Sequence, residues 1–310
     1  MNYPLYPVIL FTYNRADLFQ ETLESLRANH LASETLLYIF SDGPKCNDDK
    51  DAVKKVRRLV SDLDGFKEVI PINRDKNYGL ASNIIHGLDT ILKSHEGAIV
   101  LEDDIVTAPF FLNFMNNALH LYRNDESVCQ VNGYSFLERY SKKYDLNETY
   151  FLEGSDCLAW GTWKRSWSSY TNDSSKLYKE ILEKNLKNKL NRNGSYNYLK
   201  MLQNNVDGKT KSWAVNWLAR NIIDKKYSLF PLKSLALHIG VDERSTNYSF
   251  NKYNDPLDVR LFKKDIIPKR IEIKEEIETS LAYKEFLRDL RGDFFFRINF
   301  AIKNFFKKFI

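Results

Sequence analysis

Four short apolar runs punctuate the first hundred residues, and a helix-like pattern separates each from the next. Residues 7–12 (PVILFT), 36–40 (LLYIF), 67–72 (KEVIPI) and 98–101 (AIVL) have the length and composition of buried strands. Between them, residues 49–63 carry Val53, Val56, Leu59, Val60 and Leu63 on one helical face, and residues 80–92 carry Ile84, Ile85, Leu88 and Leu92. The first connection carries Leu18, Leu23 and Leu26, with Asn14 or Asp17 as its cap. Strand–helix alternation of this kind predicts βαβ units and an α/β fold, a mostly parallel twisted sheet flanked by helices. Pro71 puts the third strand at an edge or makes it a strand end, because proline cannot donate to the ladder. Sheets of this class bind ligands beyond the carboxyl ends of their strands. The polar clusters fall at those ends: Tyr13-Asn14-Arg15, Asp42-Gly43, residues 73–77, and Glu102-Asp103-Asp104.

Composition narrows the class further. With 43% hydrophobic and 28% charged residues the chain builds a core and is neither disordered nor collagen-like. Cys46, Cys129 and Cys157 follow no spacing motif, which predicts a reducing compartment without a disulfide framework. The first ten residues lack a basic, apolar leader pattern, and no apolar run reaches the roughly 18 residues of a membrane span. The net charge of +5 is too mild to indicate nucleic acid, and residues 251–310 carry most of it, with 14 Lys/Arg against 10 Asp/Glu. Further along, residues 109–122, 174–190, 212–223 and 272–290 read as helices and 127–132 as a strand. Residues 137–150 read as polar loop, and 151–167 are dense in aromatics and glycine. Aromatics reach 14%, enough for an aromatic core and for sugar-stacking surfaces.

The acidic triplet that ends AIVL is costly to bury unless a cation serves it. Hard divalent ions take oxygen ligands, and Mg²⁺-type sites pair one or two carboxylates with substrate phosphates. A solvated acidic turn is the plainer reading of the same three residues.

Taken together, VILFTYNR, SDG after the second run, NYGLASNI ahead of a helix and VLEDDI after the fourth run resemble a GT-A fold nucleotide-sugar glycosyltransferase. More narrowly they resemble bacterial family-2-like sugar transferases related to the N-acetylglucosaminyltransferase that starts complex N-glycans, where EDD stands in place of DxD. CLAWGTW (157–163) resembles the family's aromatic stretch at the donor–acceptor interface. SWAVNW (212–217) and SLALHIGVDERSTN (234–247) resemble two later blocks.

The resemblance implies a UDP-sugar donor, a Mn²⁺ or Mg²⁺ cofactor and a saccharide or glycolipid acceptor, with inversion at the anomeric carbon. It implies that Thr12, Asn14, Arg15, Asp42, Asn77, Asn83, Glu102 and Asp103 surround the nucleotide and donor sugar. Arg15 would pair with phosphate and Asp42 would accept the uracil N–H. Asp104 would be the direct metal ligand, and His238 is a candidate second ligand or a structural histidine. An inverting transferase needs one carboxylate as general base; Asp207 is the first candidate and Asp156 the second. The family's carboxylates between the two later tryptophans are replaced here by Ala214, Val215 and Asn216.

Residues 293–310 form a separate signal. A helical wheel puts Phe294, Ile298, Ala301, Ile302, Phe305, Phe306 and Phe309 on one face, and Arg297, Lys303, Lys307 and Lys308 on the other. A basic amphipathic helix with an aromatic face lies in a membrane interface or packs on its own core. The expected organisation is a nucleotide-sugar half (1–105), an acceptor half (106–250) and a charged connector with a membrane-associating helix (251–310). The expected location is the cytoplasmic face of the membrane, on anionic lipid. The rivals are a sugar-phosphate nucleotidyltransferase, whose phosphate loop needs glycines that TYNRADLF lacks, and a binding module without catalysis.

Overall fold

The structure, a computed structural model, describes residues 3–240 and 259–291. Residues 242–247, which the resemblance implies form a loop that closes over the donor, and the amphipathic helix expected at 293–310 lie outside the described residues.

The N-terminal third follows the predicted alternation. Its elements are β1 (Val8–Thr12), α1 (Ala16–Arg27), β2 (Leu36–Ser41), α2 (Asp49–Ser61), β3 (Glu68–Asn73), α3 (Leu80–Ile91) and β4 (Gly97–Glu102). Every residue of β1 is buried, because helices cover both faces of a central parallel strand. The edge strand β3, which contains Pro71, is half-buried to exposed along its length. At the start of α1, Arg15 occupies the cap position with no side-chain cap bond, in place of the expected Asn14 or Asp17. After β4 come β5 (Ile105–Thr107), α4 (Phe111–Leu121), β6 (Val128–Asn132), β7 (Thr149–Glu153), β8 (Trp160–Trp163) and α5 (Lys164–Trp167). The chain continues through α6 (Ser174–Glu183), α7 (Lys187–Leu190), α8 (Tyr198–Val206), α9 (Trp213–Ile223), β9 (Tyr227–Pro231), β10 (Ala236–His238) and α10 (Ile277–Arg291).

Eight strands form one sheet in the order β3-β2-β1-β4-β8-β6-β9-β7. β3, β2, β1 and β4 run parallel, as does the pair β6–β9, while β8 and β7 run antiparallel to their neighbours. The antiparallel β8 brings the residues ahead of Trp160 to the carboxyl end of β4, since Trp160 pairs with Val100. A second, two-stranded sheet pairs β10 with β5, His238 opposite Ile105.

Four expectations change. The helix at 174–190 is two helices, broken where Asn185 takes φ 54°. Residues 137–150, expected to be polar loop, carry a 3-10 turn (Glu138–Tyr140) with Leu137 and Tyr140 buried. The aromatic stretch does not offer sugar-stacking rings, because all five tryptophans are buried. Trp160 stacks on Trp213 with ring centroids 5.3 Å apart, and Trp167 on Tyr170 at 4.3 Å, joining β8, α5 and α9 into a second core beneath α3. The helix expected at 272–290 begins later, at Ile277, and this α10 buries Ala282, Tyr283, Phe286 and Leu287 in the main core. Phe286 stacks on Phe136 at 4.1 Å. An ion pair of 2.7 Å between Arg192 and Glu275 ties the same segment to the body, with Glu275 also accepting from the Glu153 amide.

Candidate active site at the carboxyl edge of the sheet

β4 delivers Glu102 at its last position, and the chain turns through Asp103 and Asp104 into β5. Asp103 is held firmly. Its Oδ2 accepts from Thr12 Oγ1 and the Tyr13 amide, both at 3.1 Å, and its Oδ1 accepts from Arg15 Nη2 at 2.5 Å. The same Arg15 nitrogen donates to Asp104 Oδ2 at 2.7 Å, and His238 Nε2 lies 3.4 Å from that oxygen. Three elements therefore meet at one carboxylate: the β1–α1 turn, the β4–β5 turn and the end of β10. Burial pushes Asp104 upward, but His238 and Arg15 together pull it below the ordinary carboxylate value, so it stays ionised. At Glu102 the pull of Arg15 is outweighed. Burial, with Asp104 and Asp103 close by, pushes its pKa up to about 8.

Gly240 completes the wall. A Cβ at this position would lie 2.1 Å from Asp104 Oδ2, so only glycine lets the backbone after His238 pass this close.

The remaining expected nucleotide contacts lie at neighbouring strand ends, where they bond the protein itself. Asp42 makes the most such bonds. Its Oδ1 accepts from the amides of Gly43 and Tyr78 at 2.9 and 2.8 Å, and its Oδ2 accepts from that of Gly79 at 2.9 Å. The carboxylate therefore ties the β2 end to the turn before α3. Asn77 Nδ2 donates to Gly43 O at 2.9 Å in the same tie. Asn14 Nδ2 donates to Asp49 Oδ1 at 3.2 Å, beside the 2.6 Å bond from the Tyr13 hydroxyl to Asp49 Oδ2. Asn83 is buried and accepts from Arg74 Nε at 3.2 Å.

Arg74 is a residue the sequence reading passed over. It lies at the end of β3, within the polar cluster 73–77, 5.1 Å from the Phe40 ring and 4.6 Å from the Tyr78 ring, with Nη2 2.8 Å from His86 Nδ1. Its position after a strand was the available signal. Asp49 and Gly240 carried none, since the contacts that matter are made across the fold.

The two candidate bases part company. Asp207 is exposed at the end of α8 and bonds Lys209 Nζ and Gln203 Nε2, both at 2.7 Å. Lys209, then Gln203, hold it below its ordinary value, the reverse of what a general base needs. None of its hydrogen-bond partners belongs to the acidic turn. Asp156 sits in the loop before β8, where its backbone carbonyl accepts from Gln130 Nε2 at 3.0 Å. Burial raises its pKa, against the pull of the Cys157 and Leu158 amides that bond Oδ1 at 2.7 and 3.2 Å.

The donor set bears on the implied cation. Asp104 offers a hard oxygen and His238 a ring nitrogen at a spacing that neighbouring ligands of one ion adopt, so the residues fit a Mn²⁺- or Mg²⁺-type ion that takes its other ligands from diphosphate and water. Nδ1 of His238 is buried without a partner, so the ring's polar contact runs entirely through Nε2. Among the described residues, no three His, Cys, Asp or Glu side chains form a closed ligand cluster.

No known family model matches the chain, and no curated protein matches it. Solved structures align with it at low similarity. A mannosyltransferase from Pyrobaculum calidifontis in complex with GDP-Man and Mn²⁺ aligns at 18% identity and TM-score 0.32 over 46% of this chain and 39% of its own. UDP-glucose pyrophosphorylase complexed with UDP-glucose aligns at 12% and 0.33 over 73% and 90%. The galactosyltransferase LgtC in complex with donor and acceptor sugar analogs aligns at 13% and 0.32 over 72% and 86%. Likenesses this weak carry no argument. The α/β architecture stands on the strand order itself, and the functional reading on the site.

Proposed function

We propose that this chain is a glycosyltransferase of the GT-A kind, moving a hexosyl or N-acetylhexosaminyl group from a UDP-sugar to a saccharide or lipid-linked saccharide. The observation that carries the reading is the Asp104 Oδ2 atom, approached by Arg15 Nη2 at 2.7 Å and His238 Nε2 at 3.4 Å at the carboxyl edge of a parallel sheet. Such an edge is where α/β sheets bind nucleotides. An ionised carboxylate, an imidazole and an arginine fork are the groups that a divalent ion and a diphosphate require together.

The proposed roles are these. Asp104 and His238 hold the ion, which when bound neutralises the diphosphate leaving group. Arg15, whose Nη2 bonds both Asp103 and Asp104, would offer the rest of its fork to the diphosphate. Asp103 keeps the β1–α1 turn in place through Thr12, Tyr13 and Arg15. Glu102 and the loop at Asp156 face the sugar, and Asp156 takes the proton of the acceptor hydroxyl as that oxygen attacks the anomeric carbon. Attack opposite the leaving diphosphate inverts the configuration. A nucleotidyltransferase is disfavoured because the turn after β1, TYNRADLF, has no glycine to let a backbone cradle close on phosphates. The tail at 293–310 holds the enzyme on the anionic cytoplasmic membrane surface, where surface-polysaccharide acceptors reside.

The test is a set of UDP-sugars, assayed for Mn²⁺-dependent hydrolysis and transfer with the intact chain and with Asp104→Ala. The expected outcome is turnover that EDTA and Asp104→Ala both abolish. Undiminished turnover in both would remove the ion and this site from the reaction.

A further inference from the structure

Far along the chain from the acidic turn, α7, the start of α8 and the end of α10 enclose a cleft of about 380 Å³. Its wall carries Lys187, Lys200 and Arg291, two tyrosines, Tyr178 and Tyr196, and no carboxylate. Neither lysine, nor Arg291, forms an ion pair with a described residue. Asp207, the carboxylate closest in sequence to Lys200, is engaged by Lys209. Arg291 is anchored rather than loose: Nη1 donates to Gly194 O at 2.7 Å and reaches Ser195 O at 3.3 Å, and among the described residues the rest of its fork has no hydrogen-bond partner. α8 begins at the same wall, capped by Asn197, whose side chain accepts from the Lys200 amide. A helix start adds partial positive charge to that of the side chains.

Three like charges around one concavity favour an anion between them. We infer that this cleft is an anion site that takes a phosphate-bearing group, the fork of Arg291 meeting two oxygens and the two lysines closing on the others. The tyrosines give the organic part of a phosphate ester an apolar side to rest on. Neither the proposed donor site nor the proposed tail includes these residues.

The test uses the full chain and Lys187→Gln/Lys200→Gln, two exposed positions whose side chains support no fold contact, with Lys54→Gln/Lys55→Gln on α2 as a charge-matched control. One arm titrates inorganic phosphate and glycerol phosphate at constant ionic strength and reads the melting temperature. The other measures sedimentation with vesicles about one-third phosphatidylglycerol in phosphatidylcholine. A saturable rise in melting temperature with phosphate, at least about tenfold weaker in the cleft variant and unchanged in the control, supports a site for soluble phosphate esters. Vesicle binding weakened to that degree by the cleft variant alone supports a lipid headgroup as the source. Equal effects of the two double variants in both arms, or no phosphate and no vesicle response in the intact chain, would overturn the inference.

Discussion

Gly240 and Asp104 stand so close that a Cβ on the glycine would lie 2.1 Å from Asp104 Oδ2. The approach is built by pairing β10 to β5 and by the Ile239 amide, which donates to the Asp104 carbonyl at 2.9 Å. The atoms a methyl would meet all belong to the Asp104 side chain, so the carboxylate turns away while the fold stays. Gly240→Ala is expected to weaken Mn²⁺-dependent UDP binding by about ten- to a hundredfold, the usual cost of disturbing a ligand's support. Calorimetric titration of UDP with and without Mn²⁺ checks this. An unchanged affinity would show that Asp104 does not hold the ion.

The second prediction separates the two candidate bases. Asp156→Asn is expected to lower turnover by roughly 10²–10⁴-fold with UDP affinity nearly unchanged, because a positioned base contributes that much to the chemical step alone. Asp207→Asn, at an exposed pair with Lys209, is expected to change turnover little. Steady-state rates with a soluble acceptor decide it, and a large loss in Asp207→Asn would reverse the assignment.

Glu102 makes stability depend on pH. Its folded pKa of about 8 lies above its ordinary 4.5, so between those values the folded chain binds more protons than the unfolded one. The stabilisation is complete below the ordinary value and is lost as pH rises through about 8. In metal-free buffer, Glu102→Gln should flatten the fall in melting temperature over that window and melt above the native chain at its alkaline end. Parallel melting curves for the two proteins across the window would show that Glu102 ionises normally.

The tail prediction rests on sequence alone. Deleting residues 293–310 is expected to release the chain from anionic vesicles and to leave UDP binding intact, since the proposed donor contacts precede residue 241. Arg297, Lys303, Lys307 and Lys308 contribute about 1 kcal/mol each near an anionic surface, a part that salt screens, while the phenylalanine face is insensitive to salt. Vesicle binding by the intact chain should therefore weaken with salt without vanishing. A truncated chain that unfolds would mean that the face packs on the protein.

The alternation of apolar runs and helical faces determined the parallel half of the sheet by itself. Strand period, helix period and the proline at the edge are local properties, and β1 to β4 appear where those patterns stand. The same alternation located the active edge, because a strand's carboxyl end is legible once the strand is. What each strand-end residue does was not legible. Asp42 and Asn77 have the residue types of nucleotide contacts, yet they close the 78–79 turn onto β2. Choosing between a ligand and a backbone amide needs the position of a loop more than thirty residues away. The surroundings of the two candidate bases were equally illegible: Asp156 is half-buried in the loop before β8, while Asp207 ends α8 at the surface. The tryptophans, read as an interface for sugars, went to the core because β8, α5 and α9 converge on one another. Long-range register and close approach, as between Gly240 and Asp104, are made only when the chain is folded, and no local pattern records them.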